Sequence, residues 1–203
     1  MMLIHPTDAS FIASQSPTIL GSITQEHISV ATWQRDAQRS IEQYILSQKQ
    51  RLKIGLRFVS ELDKLKETLS SSLPDGDGQQ ALIDDIYLLS DMLTCLFDCD
   101  SVGLRLVVMD KPMCPKFHYD NIPVRLVCTY LGEGTQWLPR ELGNRDTITK
   151  LDIEQSMIAQ SSAYDVSLLK GEAWSETPHQ GAIHRSSPMA QGQIRALLTL
   201  DPL

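Results

Sequence analysis

The sequence predicts an α+β protein, and three observations carry that reading. Apolar residues recur at three-and-four spacing through the first hundred positions. After Asp100 they give way to β-branched, alternating segments, and turn residues punctuate these at intervals suited to an antiparallel sheet system rather than to β-α-β alternation. At 203 residues the chain falls in the one-domain range, so residues 1–203 read as a single domain, with a mainly helical layer over 1–100 and a β core over 101–203.

The elements follow in order. A polar leader runs to about residue 22, and a short strand is expected over 27–32. From 33 to 50, Trp33, Ala37, Ile41, Tyr44 and Ile45 share one helical face while Gln, Arg and Glu side chains look to water. Phe58, Leu62, Leu65 and Leu69 repeat the pattern in a second helix. The run Leu73-Pro-Asp-Gly-Asp-Gly78 breaks it, and Ala81, Leu82, Ile86, Leu89, Leu93 and Leu96 mark a third. Strands are expected over 103–109, 124–131, 147–152, 164–169 and 194–200, with breaks at Gly132-Glu-Gly134, at Gly143-Asn144 and over 178–181.

Composition narrows the function. A net charge of -7 argues against a general nucleic-acid binder, because phosphate affinity comes largely from clustered Lys and Arg. The N-terminal Met-Met-Leu-Ile-His-Pro-Thr-Asp lacks the basic region and uninterrupted apolar stretch of a secretory signal, and no later run is long enough to cross a bilayer. A cytoplasmic protein with no membrane or nucleic-acid partner is expected. Cys95 and Cys99, and Cys114 and Cys128, show no Cys-x-x-Cys spacing and read as reduced thiols. Neither a Gly-rich phosphate loop nor a Gly-x-Ser-x-Gly elbow occurs.

The chemistry is carried by His118-Tyr-Asp120, then His184, then Arg195 after ten intervening residues. Two imidazoles and one carboxylate are the ligand set of the facial triad that holds iron(II) on one side and leaves the other positions open. Side chains two apart on extended backbone point the same way, so His-x-Asp needs one segment to aim both ligands at one ion. Either motif alone arises readily by chance. Their joint order, with the first pair entering an expected strand and the last residue in another, carries the inference.

This pattern resembles that of the iron(II)- and 2-oxoglutarate-dependent dioxygenase superfamily, and its prolyl-hydroxylase-like branch in particular. There the first two ligands precede an Arg-x-x-x-Thr-type strand ending in Tyr-Leu and a Gly-Gly-x-Thr turn. Here Arg125, Thr129-Tyr-Leu131 and Gly132-Glu-Gly134-Thr135 stand in those places, the turn reading Gly-x-Gly-Thr. The segments Cys114-Pro-Lys-Phe-His-Tyr-Asp120, Cys128-Thr-Tyr130, Leu169-Lys-Gly-Glu-Ala-Trp174 and His184-Arg-Ser-Ser-Pro188 also resemble an uncharacterised bacterial family, a domain of unknown function whose members are associated with zinc-responsive gene clusters.

The superfamily resemblance implies a double-stranded β-helix (a jelly roll, cupin-like) in the C-terminal half, covered by the N-terminal helices. It implies His118, Asp120 and His184 as Fe(II) ligands and Arg195 as the partner of the far carboxylate of 2-oxoglutarate, which a planar guanidinium meets with two parallel hydrogen bonds. The implied activity is oxygenation, typically hydroxylation, of a small-molecule or peptide substrate. With Asp120 in the ligand set, halogenation is not implied. A second reading is a non-enzymatic protein of cupin-like fold that binds zinc or another metal in metal homeostasis, using the triad without Arg195. A third is an interaction module in which the three polar groups are satisfied by hydrogen bonds. His179 is a spare imidazole in an expected loop. Trp137, Trp174, Tyr119 and Tyr130 read first as packing, and Lys111, Lys116, Arg125 and Arg140 as solvated charges able to attract an acidic substrate.

Overall fold

The computed structural model describes residues 10–139, 157–174 and 181–203. The strand expected over 147–152, the Gly143-Asn144 break, Arg140 and His179 lie outside the described residues. In chain order the elements are β1 (Phe11–Ser14), a 3-10 helix (Pro17–Thr24), β2 (Val30–Trp33), α1 (Arg39–Leu52), β3 (Leu56–Glu61), α2 (Leu62–Ser72), α3 (Gln79–Phe97), β4 (Ser101–Met109), β5 (Val124–Leu131), β6 (Thr135–Trp137), β7 (Ala159–Gln160), β8 (Val166–Lys170), β9 (His184–Ser186) and β10 (Arg195–Pro202). The mixed α and β class is the one expected.

Alternation of side chains builds the large sheet. Val102, Leu104, Leu106 and Val108 of β4, Val124, Leu126, Cys128 and Tyr130 of β5, and Ala196, Leu198 and Leu200 of β10 all enter one hydrophobic core. The residues between them face the other way. The seven strands run in the order β1-β2-β8-β5-β10-β4-β3. Only the pairing of β1 with β2 is parallel.

Helices cover the core face. Ile41, Tyr44 and Ile45 of α1, Leu65 and Leu69 of α2, and Leu82, Ile86, Leu89 and Leu93 of α3 are all buried there. Gly78, which starts α3, must be glycine: its φ is +92°, and a Cβ would come within 2.3 Å of the Ser40 carbonyl oxygen. A buried ion pair fixes the helical layer to the sheet. Arg35 donates to both oxygens of Asp85 on α3, at 2.6 and 2.8 Å, and the Tyr130 hydroxyl donates to the same carboxylate at 2.7 Å.

Two expected helices begin later than their apolar spacing suggests. Trp33 ends β2, opposite Val166 of β8, and α1 starts only at Arg39. Phe58 belongs to β3, which pairs antiparallel with β4 from Leu56 opposite Leu106 to Glu61 opposite Ser101. In both places sheet pairing outweighs a three-and-four spacing that runs on across the strand. Consequently three strands from the first hundred residues join the sheet, β1 and β2 at one edge and β3 at the other.

A small sheet, in the order β7-β6-β9, packs against the opposite face. Val30, Val127 and Leu169 of the large sheet meet Trp137 of β6 and Ala182 in a second core, and the Trp137 ring lies 5.0 Å from that of Phe11. Two or three residues are too few to show alternation, which is why these strands are not legible in the sequence. No helix among the described residues is long and apolar enough to cross a membrane.

Candidate metal centre

His184 lies on β9, and its backbone pairs with that of His118, each amide donating to the other's carbonyl at 3.0 Å. This bridge draws the connection between β4 and β5 to the edge of the small sheet. His118 therefore sits in its own short bridge, six residues before β5 begins, rather than at the entrance of that strand. The two imidazoles lie side by side, their centroids 4.4 Å apart.

Each ring is oriented by its own backbone. His118 Nδ1 is 3.0 Å from the Lys116 carbonyl oxygen, and His184 Nδ1 is 2.9 Å from that of Ala182. A nitrogen facing a carbonyl must carry the hydrogen, so each neutral ring keeps its lone pair on Nε2. Both Nε2 atoms face Asp120, at 3.6 Å from Oδ1 for His118 and 3.5 Å from Oδ2 for His184. One ligand atom from each of the three residues lies within 4.8 Å of the others. Bonds near 2.1 Å would place adjacent ligands about 3 Å apart, so a small contraction admits an ion.

Asp120 is held from two directions. Its carbonyl accepts from the Glu172 amide at 2.9 Å, while the Gly171 amide donates to Pro123 at 2.8 Å. Gly171 has no room for a side chain, since a Cβ would lie 1.8 Å from the Ile122 carbonyl oxygen and 2.8 Å from that of Asp120. Within the large sheet, Arg125 of β5 donates to both oxygens of Asp201 on the neighbouring β10 at 2.7 Å, and it reaches Asp120 Oδ2 on the β4–β5 connection at 2.8 Å. Such an outer partner turns a carboxylate toward its ion.

Electrostatics agree with a cation site. Burial alone would raise the Asp120 pKa, but hydrogen bonding from His118 and the charges of His184 and Arg125 bring it to about 2. His118 is raised, chiefly by its hydrogen bond with Asp120. His184 is buried and pushed down to about 4 by loss of hydration. At neutral pH the cluster thus offers a carboxylate and a neutral, oriented imidazole in His184.

Arg195 opens β10 on the face that looks toward the small sheet, and it is 1% exposed. One terminal nitrogen donates to Thr129 Oγ1 at 3.2 Å and to Thr135 Oγ1 at 3.1 Å. Its Nε and other terminal nitrogen have no hydrogen-bond partner among the described residues. Burial pushes its pKa down to about 10. A guanidinium buried with two donors idle is costly unless an anion meets it.

Family membership follows from the length of the match, which runs over residues 14–201 to the family described as Protein of unknown function (DUF1826). The chain belongs to that family. No curated protein matches the sequence. Among solved structures, this DUF1826 protein is similar to HygX from Streptomyces hygroscopicus with nickel and 2-oxoglutarate bound, at 8% identity and a TM-score of 0.50, over 93% of this chain and 87% of that one. A Pseudomonas putida prolyl-4-hydroxylase gives 7% identity, a TM-score of 0.49 and coverage of 90% and 95%. A rice dioxygenase for auxin oxidation gives 8%, 0.48, and 86% and 73%. At such identities the likeness is one of fold, and it is carried by HygX.

The structure thus brings together three of the four residues singled out by sequence and places the fourth, Arg195, between the same two sheets. The grip of Arg125 and Asp201 on Asp120 is not apparent from sequence, although the position of Arg125 on the same face of β5 as Thr129 could have signalled it. Trp137 and Trp174 are packing residues, Trp174 standing edge-on to Phe97 at 5.9 Å. Tyr130 serves the Asp85 network on the helical side. All four cysteines are free.

Proposed function

We propose that this DUF1826 protein is an iron(II)- and 2-oxoglutarate-dependent oxygenase whose two sheets form a double-stranded β-helix. The observation that carries the reading is the buried, half-paired guanidinium of Arg195, which reaches Thr135 of the same small sheet whose strand β9 carries His184. A triad alone would serve zinc equally well. A zinc-handling protein has no use for a buried cation with idle donors, whereas a dicarboxylate cosubstrate supplies the anion it lacks. HygX, of like fold, holds nickel and 2-oxoglutarate in its structure.

In this reading His118, Asp120 and His184 hold the metal, and Arg195 with the Thr129 and Thr135 hydroxyls holds the far carboxylate of 2-oxoglutarate. When bound, iron with this cosubstrate activates dioxygen for insertion into a substrate C–H bond. The chain's own contribution is placement. The Lys116 and Ala182 carbonyls keep both Nε2 lone pairs turned inward. Arg125 occupies Asp120 Oδ2, so that Oδ1 is the freer oxygen. Val127 and Leu197, each 6% exposed, stand between Arg125 and Arg195 on the inner face and keep water out.

The test is anaerobic addition of iron(II) and 2-oxoglutarate to metal-stripped protein, watching for the visible metal-to-ligand charge-transfer band. The band should form in the wild type, vanish in His184→Ala, and require much more 2-oxoglutarate in Arg195→Ala. Tight, triad-dependent zinc binding with no band in the wild type would overturn the oxygenase reading in favour of metal handling.

A further inference from the structure

Alternation along β3 and β4 leaves two guanidiniums facing each other on the side away from the helices. Phe58 and Leu104 enter the core, so Arg57 and Arg105 look toward the inner face, where they are direct cross-strand partners. Like charges directly opposite each other weaken strand pairing. In a chain with 18 basic against 25 acidic residues, counter-charges are plentiful, yet neither arginine has an ion-pair partner among the described residues. The next strand continues the row, with Thr199 of β10 opposite Arg105.

A cavity of about 490 Å³ lies over this row, lined among others by Arg57, Arg105, Met113, Arg125 and Asp201. That volume suits a small molecule rather than a macromolecule. Its floor is open because Gly103, between Val59 and Asp201, has no side chain; a Cβ there would meet nothing nearer than Leu203 at 3.4 Å. The cavity shares one wall with the candidate metal centre. Arg125 lines it, and the same guanidinium is bonded to Asp120 and Asp201, so its charge is already engaged. Arg57 and Arg105 are the charges left to act.

We propose that this cavity is the primary-substrate site and that Arg57 and Arg105 hold an anionic group, carboxylate or phosphate, of a small-molecule substrate whose remainder extends past Arg125 toward the metal. The substrate assignment rests on the oxygenase reading above, but the anion site does not need metal or cosubstrate to be measured. An oxyanion between two forked guanidiniums also removes the repulsion that the bare pair imposes on β3 and β4.

The experiment titrates inorganic phosphate and, separately, malonate into metal-free wild type, into the double variant Arg57→Gln/Arg105→Gln, into Gly103→Val, and into Arg195→Met, by calorimetry at low ionic strength. Both arginines are exposed, so the double variant should fold, and its melting temperature checks this. The proposal expects at least one anion to bind the wild type and Arg195→Met alike, and to bind at least tenfold more weakly in the double variant and in Gly103→Val. Unchanged affinity in the double variant, loss that follows Arg195 instead, or no binding to the wild type would each overturn it. The charge-transfer band, measured on the same double variant, reports the oxygenase reading separately, since these arginines touch neither the triad nor Arg195.

Discussion

Replacing Arg195 by Met should make the metal-free protein more stable, the reverse of what most buried substitutions do. The side chain is 1% exposed, and burial moves its pKa from 12.5 to about 10. A depression of that size corresponds to a cost of about 3 kcal/mol for carrying the charge in the native state. The folded pKa lies below the unfolded one, so the cost is fully present below about pH 10 and fades only as pH rises toward 12.5. Met removes it but also removes the two hydrogen bonds to Thr129 and Thr135, each worth about 1 kcal/mol net. A gain of roughly 1 kcal/mol remains, or roughly 2–4 °C in Tm for a chain of this size. The assay is urea denaturation at pH 7.5, without and with iron(II) and 2-oxoglutarate under nitrogen. Saturating cosubstrate at a hundred times its Kd should stabilise the wild type by about 2.7 kcal/mol and leave the Met variant nearly unmoved. The order of the two proteins then inverts. A Met variant that is less stable by more than about 1 kcal/mol without cosubstrate would refute the reasoning, because Arg195 would then be a satisfied structural residue.

Three further outcomes are expected. Gly171→Ala forces a Cβ against the Ile122 and Asp120 carbonyls, so metal affinity should fall on the order of 10–100-fold while the helical layer stays folded, as titration with a metal-binding dye and far-ultraviolet circular dichroism would show. Burial holds His184 near pKa 4, below its ordinary 6.5, so the unfolded chain takes up that proton first. The metal-free protein should lose up to about 3 kcal/mol as pH falls through this window, less what the raised His118 returns, and His184→Gln should flatten the loss in denaturation curves measured across pH. Asp85→Asn leaves Arg35 buried without its counter-charge and should cost about 3–5 kcal/mol, read from the denaturation midpoint, without moving the metal affinity of the protein that remains folded.

The parts of this fold that were legible are those with enough residues to show a period. Strand β5 carries eight alternating positions and occupies the residues expected for it, and α3 carries five turns of apolar spacing. Strand β3 is hidden in the sequence because Phe58 falls in step with Leu62, Leu65 and Leu69, and only the edge offered by β4 decides that the chain is extended there. The same holds at the candidate site. His118, Asp120 and His184 could be chosen by residue type and order, because metal ligation needs those side chains. Arg125, Asp201 and Gly171 could not, since an arginine, an aspartate and a glycine have many uses and only an ion pair between neighbouring strands and a backbone contact single them out. The facing arginines of β3 and β4 depend in turn on a strand register that the helical spacing of Phe58 with Leu62 conceals.

The last strand in sequence, β10, lies in the middle of the large sheet, between β5 and β4. During synthesis the neighbours it will join emerge well before it, and neither can complete its ladder until residues 195–202 leave the ribosome. Both Arg195 and Asp201 ride on that strand, so the buried, half-paired guanidinium and the support for Arg125 arrive together and after the triad residues. A nascent chain cut short of β10 would expose two open sheet edges and a seam of Leu and Val, the kind of surface that chaperones hold and that aggregates when they do not. Assembly of the candidate site thereby waits for residues 195–202, and no chain cut short of them can present Arg195 or the Asp201 that supports Arg125.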